Sequence, residues 1–593
     1  VPSLRVKDEV VDVKEYAASQ TRYSQNSFLP GLVARLSSVS QARSMLVGSV
    51  EVFPVQFNPA MRTVRKYSRL VIEVLFGAPV GQQVQNDDDA PFQNVLLNYG
   101  QAKAWKFENA RQLSKTTVGP SVLATGNWYR LTVADDGVYI LNAQYLAAAG
   151  INLSSVDPRT IKIFGNGGTE VPENITLPRP VDLVENAIDV EGEADGQFNP
   201  NDYVLFYGKS VRGWKYDPAG RTIRHYINHY TEVNYYWLTF GGSPGKRMQR
   251  QSSLTANPTI VPDKFLDGAF IEEEKVNLLK SGKDWYSFPI STGGSTTYTT
   301  SLPGLVPNQR VLYRYQLIAR SQVSPMFTVK QEGVTVGTHQ LAEVYYEGFY
   351  TYATALTNEA QVSSPLGNNT SRLTFTFNSG DVGGTGWIDW VEILYQRRFE
   401  AVNNFLPFRS PDSAGVVEYQ LTQFSAAPLI LNVSRPADVR LITGIVGTYT
   451  FRAAETGGQA SEYYAVSSSA FKSPAGIIGI PNQNLRGVSS GADFIIITSP
   501  DFRSASDQLA AYREQPSHGN LRTLVADVNQ ICNEFGGGLP DITAIRDFLR
   551  YAYDNWTPQP KYVLMFGQGS YDYKGLVSSR SSRVPTWQSN ESR

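Results

Sequence analysis

A cysteine and a histidine near the end of the chain carry the side chains of a nucleophile and its base. Cys532 is the only cysteine among 593 residues, and His518 precedes it by one predicted strand. A cysteine nucleophile needs an imidazole within hydrogen-bond reach and an exposed, electropositive setting. The sequence places His518 before that strand and Cys532 after it, at opposite ends of a sheet. A lone cysteine is more often a small buried hydrophobe, so we predict that the pair is not a catalytic dyad.

The other three histidines suggest metal chemistry only weakly. His225 and His229 in RHYINHYTEV have the spacing of a two-histidine metal face, but no glutamate lies between them. The surrounding pattern is that of strand and turn, whereas the zinc motif requires a helix. We predict structural or surface roles for both residues and for His339.

The acidic stretch EGEADGQFNPND, residues 191–202, resembles the loop of an EF-hand calcium site. Its candidate ligands are Glu191, Glu193, Asp195 and Asp202. Glutamate stands where the shorter Asp or Asn is usual, and an aspartate replaces the final bidentate glutamate. The alternative is an acidic β-turn before the strand YVLFYG. Calcium is the only cofactor that the sequence suggests.

The polar stretch GQGSYD follows the apolar strand KYVLMFG. Its candidate site residues are Gly567, Gln568, Gly569, Ser570 and Asp572. Ligands of open parallel sheets bind outside the carboxyl ends of the strands. An anion could bind here, but no helix pattern follows directly to contribute its dipole. We predict that this loop lies beside an active site.

Alternating strands and helices position this loop. From residue 490 the sequence has the doubly buried strand DFIIITS, the helix of DFRSASDQLAAYREQ and the strand LRTLVADV. A helix over 541–555 and the strand KYVLMFG complete the series. This order predicts a parallel sheet with right-handed crossovers. The helix is predicted to bury Phe548 and Leu549.

The start of the chain has a β-rich pattern. Residues 1–80 predict a β module in which 50–57 and 64–76 form a hairpin around an Asn-Pro turn. Residues 81–115, which include a polar and acidic run, are predicted to be a linker. Residues 116–260 predict a β-rich α+β module.

The α+β module begins with two expected local structures. WYRLTVADDGVYIL predicts two strands joined by a tight hairpin at Asp136-Gly137. A short helix follows, with Asn142 as its cap and Gly150 at its end.

The middle of the chain predicts further β modules. Residues 261–400 have strand after strand and predict a β-sandwich, 401–489 predict another β module, and 490–593 begin the α/β domain. Trp387 and Trp390 could stack sugars, which gives an alternative function as a non-catalytic cell-surface adhesin or carbohydrate-binding protein. Tryptophans in such a strand are more often core residues.

Composition narrows the function classes. The net charge is −1, so no overall field draws the chain to nucleic acid. Aromatic residues make up 12% of the chain, which suits extracellular β-architecture. No apolar run approaches the ~20 residues of a membrane helix. The sequence begins at Val1 without a leader pattern, which we interpret as a mature protein or a fragment.

Several stretches together resemble the gingipain-type cysteine peptidases and, more narrowly, the sortases of type IX secretion. These stretches are NEFGGGLPDITAIRDFLRYAYDNW, KYVLMFGQGSYDY, EEEKVNLLKSGKDWY, RTIKIFGNGG, NDYVLFYG and VEVFPVQFNPAMRTVRKYSRLVIEV. The resemblance covers essentially the whole chain. It implies propeptide-like and sandwich-like β modules followed by the first part of a caspase-like α/β parallel-sheet domain.

The resemblance also implies a function. Members of this kind are cell-surface cysteine endopeptidases that remove the C-terminal sorting domain of secreted cargo and join the cargo to lipopolysaccharide through an acyl-enzyme. They act on the outer face of the outer membrane, peripherally attached through the β-barrel PorV. The implied partners are therefore PorV, cargo proteins and lipopolysaccharide, without nucleic acid.

Two departures limit this resemblance. The family's catalytic histidine lies in a Gly-His-Gly stretch, which these 593 residues do not contain. Cys532 stands where relatives usually carry an aromatic residue. In the stretch GQGSYD, Gln568 stands where the family commonly has an aspartate. We therefore assign no catalytic residue and expect the catalytic cysteine and histidine beyond Arg593.

Overall fold

The protein is mainly β, with an α/β region at the end of the chain, as predicted. The computed structural model describes residues 3–6, 9–12, 24–42, 45–76, 92–102, 119–346, 351–362, 366–577, 582–590 and 593. The chain forms two compact units, Val1–Thr116 and Thr117–Arg593. No helix in these ranges is long and apolar enough to cross a membrane.

The first unit consists of antiparallel strand pairs. Its elements are β1 (Ser3–Val6), β2 (Glu9–Asp12), β3 (Ala34–Ala42), β4 (Met45–Val52), β5 (Val55–Asn58), β6 (Thr63–Lys66) and the helix α1 (Tyr99–Ala102). Strand β1 pairs with β2, β3 with β4, and β5 with β6.

The hairpin predicted in this unit is shorter than expected. Only β5 and β6 flank the Asn-Pro turn, and the predicted long arms 50–57 and 64–76 are wrong. Pro54 has no N–H to give to a ladder, so the first arm breaks there and β4 pairs with β3 instead. Of the predicted linker 81–115, residues 81–91 and 103–115 lie outside the described residues.

The second unit opens with two small sheets. Its first strands are β7 (Trp128–Val133), β8 (Gly137–Asn142), β9 (Lys162–Phe164), β10 (Glu185–Asn186), β11 (Asp189–Glu191), β12 (Tyr203–Gly208), β13 (Gly213–Asp217), β14 (Thr222–Tyr226), β15 (Asn234–Thr239) and β16 (Gln249–Ser252). The helix α2 (Ala143–Ala148) follows β8, and the Asn142 side chain caps it by accepting from Tyr145 N at 2.8 Å. Gly150 ends it with φ of 80°, as predicted.

The predicted hairpin at Asp136-Gly137 is wrong. Strand β7 lies in a five-stranded sheet that also contains β9, β10 and β15, whereas β8 lies in the sheet β11-β12-β8. The Asp136 carboxylate accepts from Ser210 N at 2.6 Å and pairs with Lys209 at 3.1 Å, so the turn is held by a third segment. The two strands therefore separate into different sheets, and their apolar side chains meet in one core between them.

The next nine strands form the predicted β-sandwich. They are β17 (Lys264–Glu272), β18 (Ile290–Ser291), β19 (Ser295–Ser301), β20 (Val311–Arg320), β21 (Met326–Gln331), β22 (Val334–Gln340), β23 (Thr354–Val362), β24 (Thr370–Asn378) and β25 (Thr385–Arg398). One sheet has the order β17-β25-β20-β23, with β18 also on β25, and the other has β19-β24-β21-β22. Their facing side chains, such as Tyr315, Phe375 and Ile393, form one fully buried core.

Seven further strands follow, and most of them share sheets with earlier ones. They are β26 (Phe405–Arg409), β27 (Gly415–Gln420), β28 (Leu429–Asn432), β29 (Arg440–Thr443), β30 (Thr450–Glu455), β31 (Glu462–Val466) and β32 (Gly476–Ile480). Strand β29 pairs with β16, and β32 pairs with β7. The sheets of the second unit are therefore interleaved along the chain.

Residues 494–566 form the predicted parallel sheet. Its strands are β33 (Phe494–Thr498), β34 (Thr523–Asp527) and β35 (Tyr562–Phe566), in the order β34-β33-β35. Its helices are α3 (Arg503–Glu514), α4 (Val528–Phe535) and α5 (Thr543–Asn555). Helix α4 was not expected, because it is only eight residues long and begins directly at the strand end, where the Asp527 side chain caps it.

Short 3-10 turns connect many of these elements. They are Val122–Ala124, Leu153–Ser155, Pro158–Thr160, Glu193–Asp195, Gly367–Asn369, Pro436–Asp438, Ser468–Ala470, Pro500–Phe502 and Pro516–His518.

Candidate functional site

Three strand ends meet at one edge of the parallel sheet. Thr498 ends β33, Asp527 ends β34, and the loop of residues 567–577 follows β35. The Thr498 hydroxyl donates to Phe566 O at 3.1 Å, which ties the first strand end to the start of the loop. Thr498 could have been predicted from the sequence as a site residue, because it is a polar residue at the end of a buried strand. It was not among our candidates.

The loop after β35 is packed against residues 582–586. The carbonyl of Gln568 accepts from Arg583 N at 2.8 Å and Val584 N at 3.2 Å. A Cβ at Gly567 would lie 2.9 Å from Val584, and one at Gly569 would lie 3.0 Å from Thr586. These two positions therefore favour glycine because the chain segments approach closely.

The polar side chains at the end of the loop organise its backbone. Ser570 Oγ accepts from Asp572 N at 3.1 Å, and the carboxylate of Asp572 accepts from Leu576 N at 2.8 Å and Val577 N at 2.9 Å. Asp572 is only 1% exposed. It holds the loop in shape, and the assignment of the five candidates to an active site stays a prediction.

An ion triad around a buried lysine attaches this loop to the preceding modules. The Lys574 ammonium lies 2.5 Å from Glu232 and 2.6 Å from Glu274, and its side chain is 5% exposed. Aromatic contacts add to the attachment. The ring of Tyr571 stacks on Trp285 at 5.8 Å, and Tyr573 packs on Tyr230 at 4.9 Å.

The segment 272–286 also holds the chain beyond the loop. Lys283 N donates to Ser589 O at 2.9 Å, and Asp284 N donates to Asn590 O at 3.0 Å. The Lys283 side chain pairs with Glu173. The loop therefore has a fixed conformation, supported from two sides by residues far away in sequence.

Cys532 and His518 are not brought together. Cys532 lies on α4, after the carboxyl end of β34, whereas His518 lies in the turn before its amino end and packs on Tyr512 at 3.8 Å. Burial, with the charges of Asp541 and Asp527, raises the pKa of the Cys532 thiol to about 12. The thiol therefore lacks both a base and a thiolate form at neutral pH.

Each of the remaining histidines has its own structural partner. His225 Nδ1 lies 2.7 Å from Glu392 and its Nε2 lies 3.2 Å from Glu272. His229 Nδ1 lies 2.6 Å from Glu170, and His339 Nε2 lies 2.7 Å from the Tyr315 hydroxyl. The predicted structural roles agree with these contacts.

The calcium candidates lie in a short acidic turn. Glu193 pairs with Arg247 at 2.7 Å, and Asp195 accepts from Gln197 N at 3.0 Å. The buried Asp202 accepts from Asn199 N at 2.7 Å, and Glu191 ends β11. Across the ranges that the structure describes, no group of three or more His, Cys, Asp or Glu side chains is arranged to hold a metal. Calcium at this loop stays a prediction.

The tryptophans considered for sugar stacking have other contacts. Trp387 is 6% exposed and packs with Tyr286 and Ile318. Trp390 donates its indole N–H to Gln316 at 3.1 Å and packs on His225 at 5.2 Å.

Comparison with known families accounts for both ends of the chain. Residues 488–592 match peptidase family C25, and residues 1–104 match the C25 propeptide. The chain is of the gingipain (C25) type. Its C25 segment, residues 488–592, contains the parallel sheet and the strand-end loop. No curated protein sequence matches the chain.

The C25-type chain also shares the fold of a solved structure. The crystal structure of dimeric latent PorU from Porphyromonas gingivalis aligns with a TM-score of 0.69 and 23% identity, over 79% of this chain and 44% of that chain. At this identity the likeness shows the fold. The chain spans less than half the length of PorU.

Two carbohydrate-binding modules align with smaller parts of this C25-type chain. The C-terminal CBM6 of the laminarinase LamC from Zobellia galactanivorans has 20% identity and a TM-score of 0.14, over 21% of this chain and 98% of that chain. A family 35 module from Clostridium thermocellum has 14% identity and a TM-score of 0.15, over 23% and 98%. TM-scores this low carry no argument about function.

Proposed function

We propose that the chain is the N-terminal portion of a cell-surface cysteine endopeptidase that acts as a sortase. The enzyme would remove the C-terminal sorting domain of type IX secretion cargo and join the cargo to lipopolysaccharide. Its site would lie at the carboxyl edge of the parallel sheet, with residues 567–572 as one wall. The catalytic cysteine and histidine are expected outside these 593 residues.

One observation carries this proposal. A C25 propeptide and a C25 peptidase segment stand at the two ends of a chain whose intervening β modules follow the fold of PorU. A carbohydrate-binding scaffold would not require a peptidase segment. The β modules would provide the surface that docks on PorV at the outer face of the outer membrane.

Cargo processing in cells tests the proposed function. Cells without this gene should accumulate cargo that keeps its sorting domain, and the complete gene should restore both cleavage and the mass increase of lipopolysaccharide attachment. A secreted protein without a sorting domain is the control and should not change. Normal cargo maturation in the deleted cells would contradict the proposal.

The 593-residue chain separates docking from chemistry. Because Cys532 and His518 lie apart, we expect this chain to co-purify with PorV but not to cleave cargo in a mass-spectrometric assay. Cleavage by this chain would return the nucleophile to Cys532. A chain that neither cleaves cargo nor binds PorV would favour the adhesin alternative.

Replacing Cys532 should leave activity intact. In the complete protein, Cys532→Ala is expected to process cargo at the wild-type rate, because the thiol is buried and its pKa is raised to about 12. The small cavity should lower the free energy of unfolding by only about 1 kcal/mol. The rate of cargo cleavage and a denaturation curve check both statements, and loss of cleavage with an unchanged curve would contradict them.

A further inference from the structure

A cavity of about 480 Å³ lies between β14, the β17-β25-β20 sheet and the segment 272–285. Its wall includes His225, Glu272, Asp284 and the rings of Trp285 and Trp390. This volume suits a small ligand or one side chain. No residue of the strand-end loop 567–577 lines the cavity, and its lining residues lie outside the C25 segment apart from Asn590.

A β-bulge presents two residues of β25 to this cavity. Tyr315 pairs with Val391 and Leu317 pairs with Ile388, so Gln316 alone opposes both Asp389 and Trp390. The extra residue turns both side chains toward the same wall, and both line the cavity. Bulges of this kind are common beside binding sites because they redirect a side chain.

Asp389 is a buried carboxyl without a direct partner. It is 7% exposed, and within the described ranges it has neither a hydrogen bond nor an ion pair. Burial, with the charges of Glu272 and Asp284, raises the pKa of Asp389 to about 8. The carboxylate oxygens of Asp389 are not among the fully enclosed polar atoms without a partner in the described residues, so they border the open space of the cavity and present an acceptor to it.

The charged groups around Asp389 have other partners. Glu272 and Glu392 bind the two ring nitrogens of His225, and these contacts outweigh burial and raise the pKa of His225 to about 9. Arg593 reaches the cavity with its guanidinium 3.7 Å from Asp284. The cavity therefore already admits the guanidinium of Arg593, but no cation is in contact with the carboxylate of Asp389.

We propose that this cavity binds an organic cation, a guanidinium or a primary ammonium, through the carboxylate of Asp389. The rings of Trp285 and Trp390 would face the cation, which favours binding through their negative faces. A metal ion fits less well, since no metal-like cluster occurs in the described ranges. The cation belongs either to a free small molecule or to a side chain of a protein ligand.

Titration of the 593-residue chain with matched probes tests the cation site. The probes are agmatine, a blocked Gly-Arg-Gly peptide and the same peptide with citrulline, which is neutral and of similar shape. Calorimetry and tryptophan fluorescence report binding. We expect at least one cationic probe to bind about tenfold more tightly than the citrulline peptide. Binding of both agmatine and the Gly-Arg-Gly peptide would mean that the cationic group alone is recognised. Binding of the Gly-Arg-Gly peptide without agmatine would mean that the ligand is a protein.

Variants connect this binding to the cavity. Asp389→Asn should weaken the cationic probe about tenfold, and Arg593→Ala, which removes a competing guanidinium, should strengthen it about threefold. Asp507→Asn, at an exposed position on α3, is the matched control and should change nothing. Wild-type affinity should rise from about pH 6 to about pH 9, because deprotonation of Asp389 and then His225 makes the cavity more negative.

Three results would overturn the proposal: no binding of either cationic probe, equal binding of the citrulline peptide, or unchanged affinity in Asp389→Asn. Each would mean that Asp389 is simply a neutral buried acid. If Asp389→Asn does not fold, Arg593→Ala decides the question, and an unchanged affinity in that variant overturns the proposal.

Discussion

Replacing Lys574 by methionine should lower the free energy of unfolding by about 3–5 kcal/mol. The ammonium of Lys574 is buried between Glu232 and Glu274, and the methionine would leave the carboxylate of Glu274 in a site that is 13% exposed. Burial raises the pKa of Glu274, although Lys574 acts against that rise. Without the lysine, Glu274 must either keep an unpaired charge or take up a proton.

The pH dependence of the stability loss in Lys574→Met identifies its cause. Because Glu274 in the variant can be neutralised by protonation, the difference from the wild type should shrink as the pH falls from about 8 to about 5. Urea unfolding at both pH values measures it. Lys275→Met, an exposed lysine of the same segment, is the control and should cost less than about 0.5 kcal/mol. Equal midpoints for the two variants would mean that the triad does not hold the loop.

Replacing Phe548 by alanine should cost about 3–5 kcal/mol. Phe548 is fully buried on α5 and packs edge-on against Phe535 at 5.5 Å and Trp556 at 5.8 Å. The predicted partner Leu549 packs against the same core but is only half-buried, so Leu549→Ala should cost less. The helix face is set by Ala544, Ile545, Phe548 and Ala552, which all point to the sheet.

A second substitution on the same helix provides the control. Tyr553 is 56% exposed, so Tyr553→Ala should change the free energy of unfolding by no more than about 0.5 kcal/mol. Denaturation curves of both variants measure the difference. A Phe548→Ala midpoint close to that of Tyr553→Ala would contradict the packing of α5.

The sequence contains clear signals for the parallel sheet. The strand FIIIT is buried at every position and apolar at its first four, as burial on both faces requires. Helix α5 has one apolar face, so its place in the strand–helix order follows from periodicity. Helix α4 was missed because eight residues carry too little periodicity, and because a strand that turns directly into a helix has no loop to mark the boundary.

Long-range contacts could not be predicted in the same way. Asp136-Gly137 has the residues of a tight hairpin, but the carboxylate of Asp136 binds Ser210 and Lys209, and no local pattern shows that preference. The contacts that support the strand-end loop are also between residues far apart in sequence. Lys574 meets Glu232 and Glu274 across some 300 residues, and ion pairs of that separation leave no periodic signal.

The pairing of β7 with β32 sets an order of events during synthesis. Ser121 N binds the side chain of Asn484 at 3.0 Å, a separation of 363 residues. At about 5–20 residues per second, the ribosome needs roughly 20–70 s to make the chain between them. During that time the nascent sheet exposes the edge of β7, and an exposed edge invites pairing with other chains. Chaperones that bind the emerging chain should therefore be most important before residue 480 leaves the ribosome.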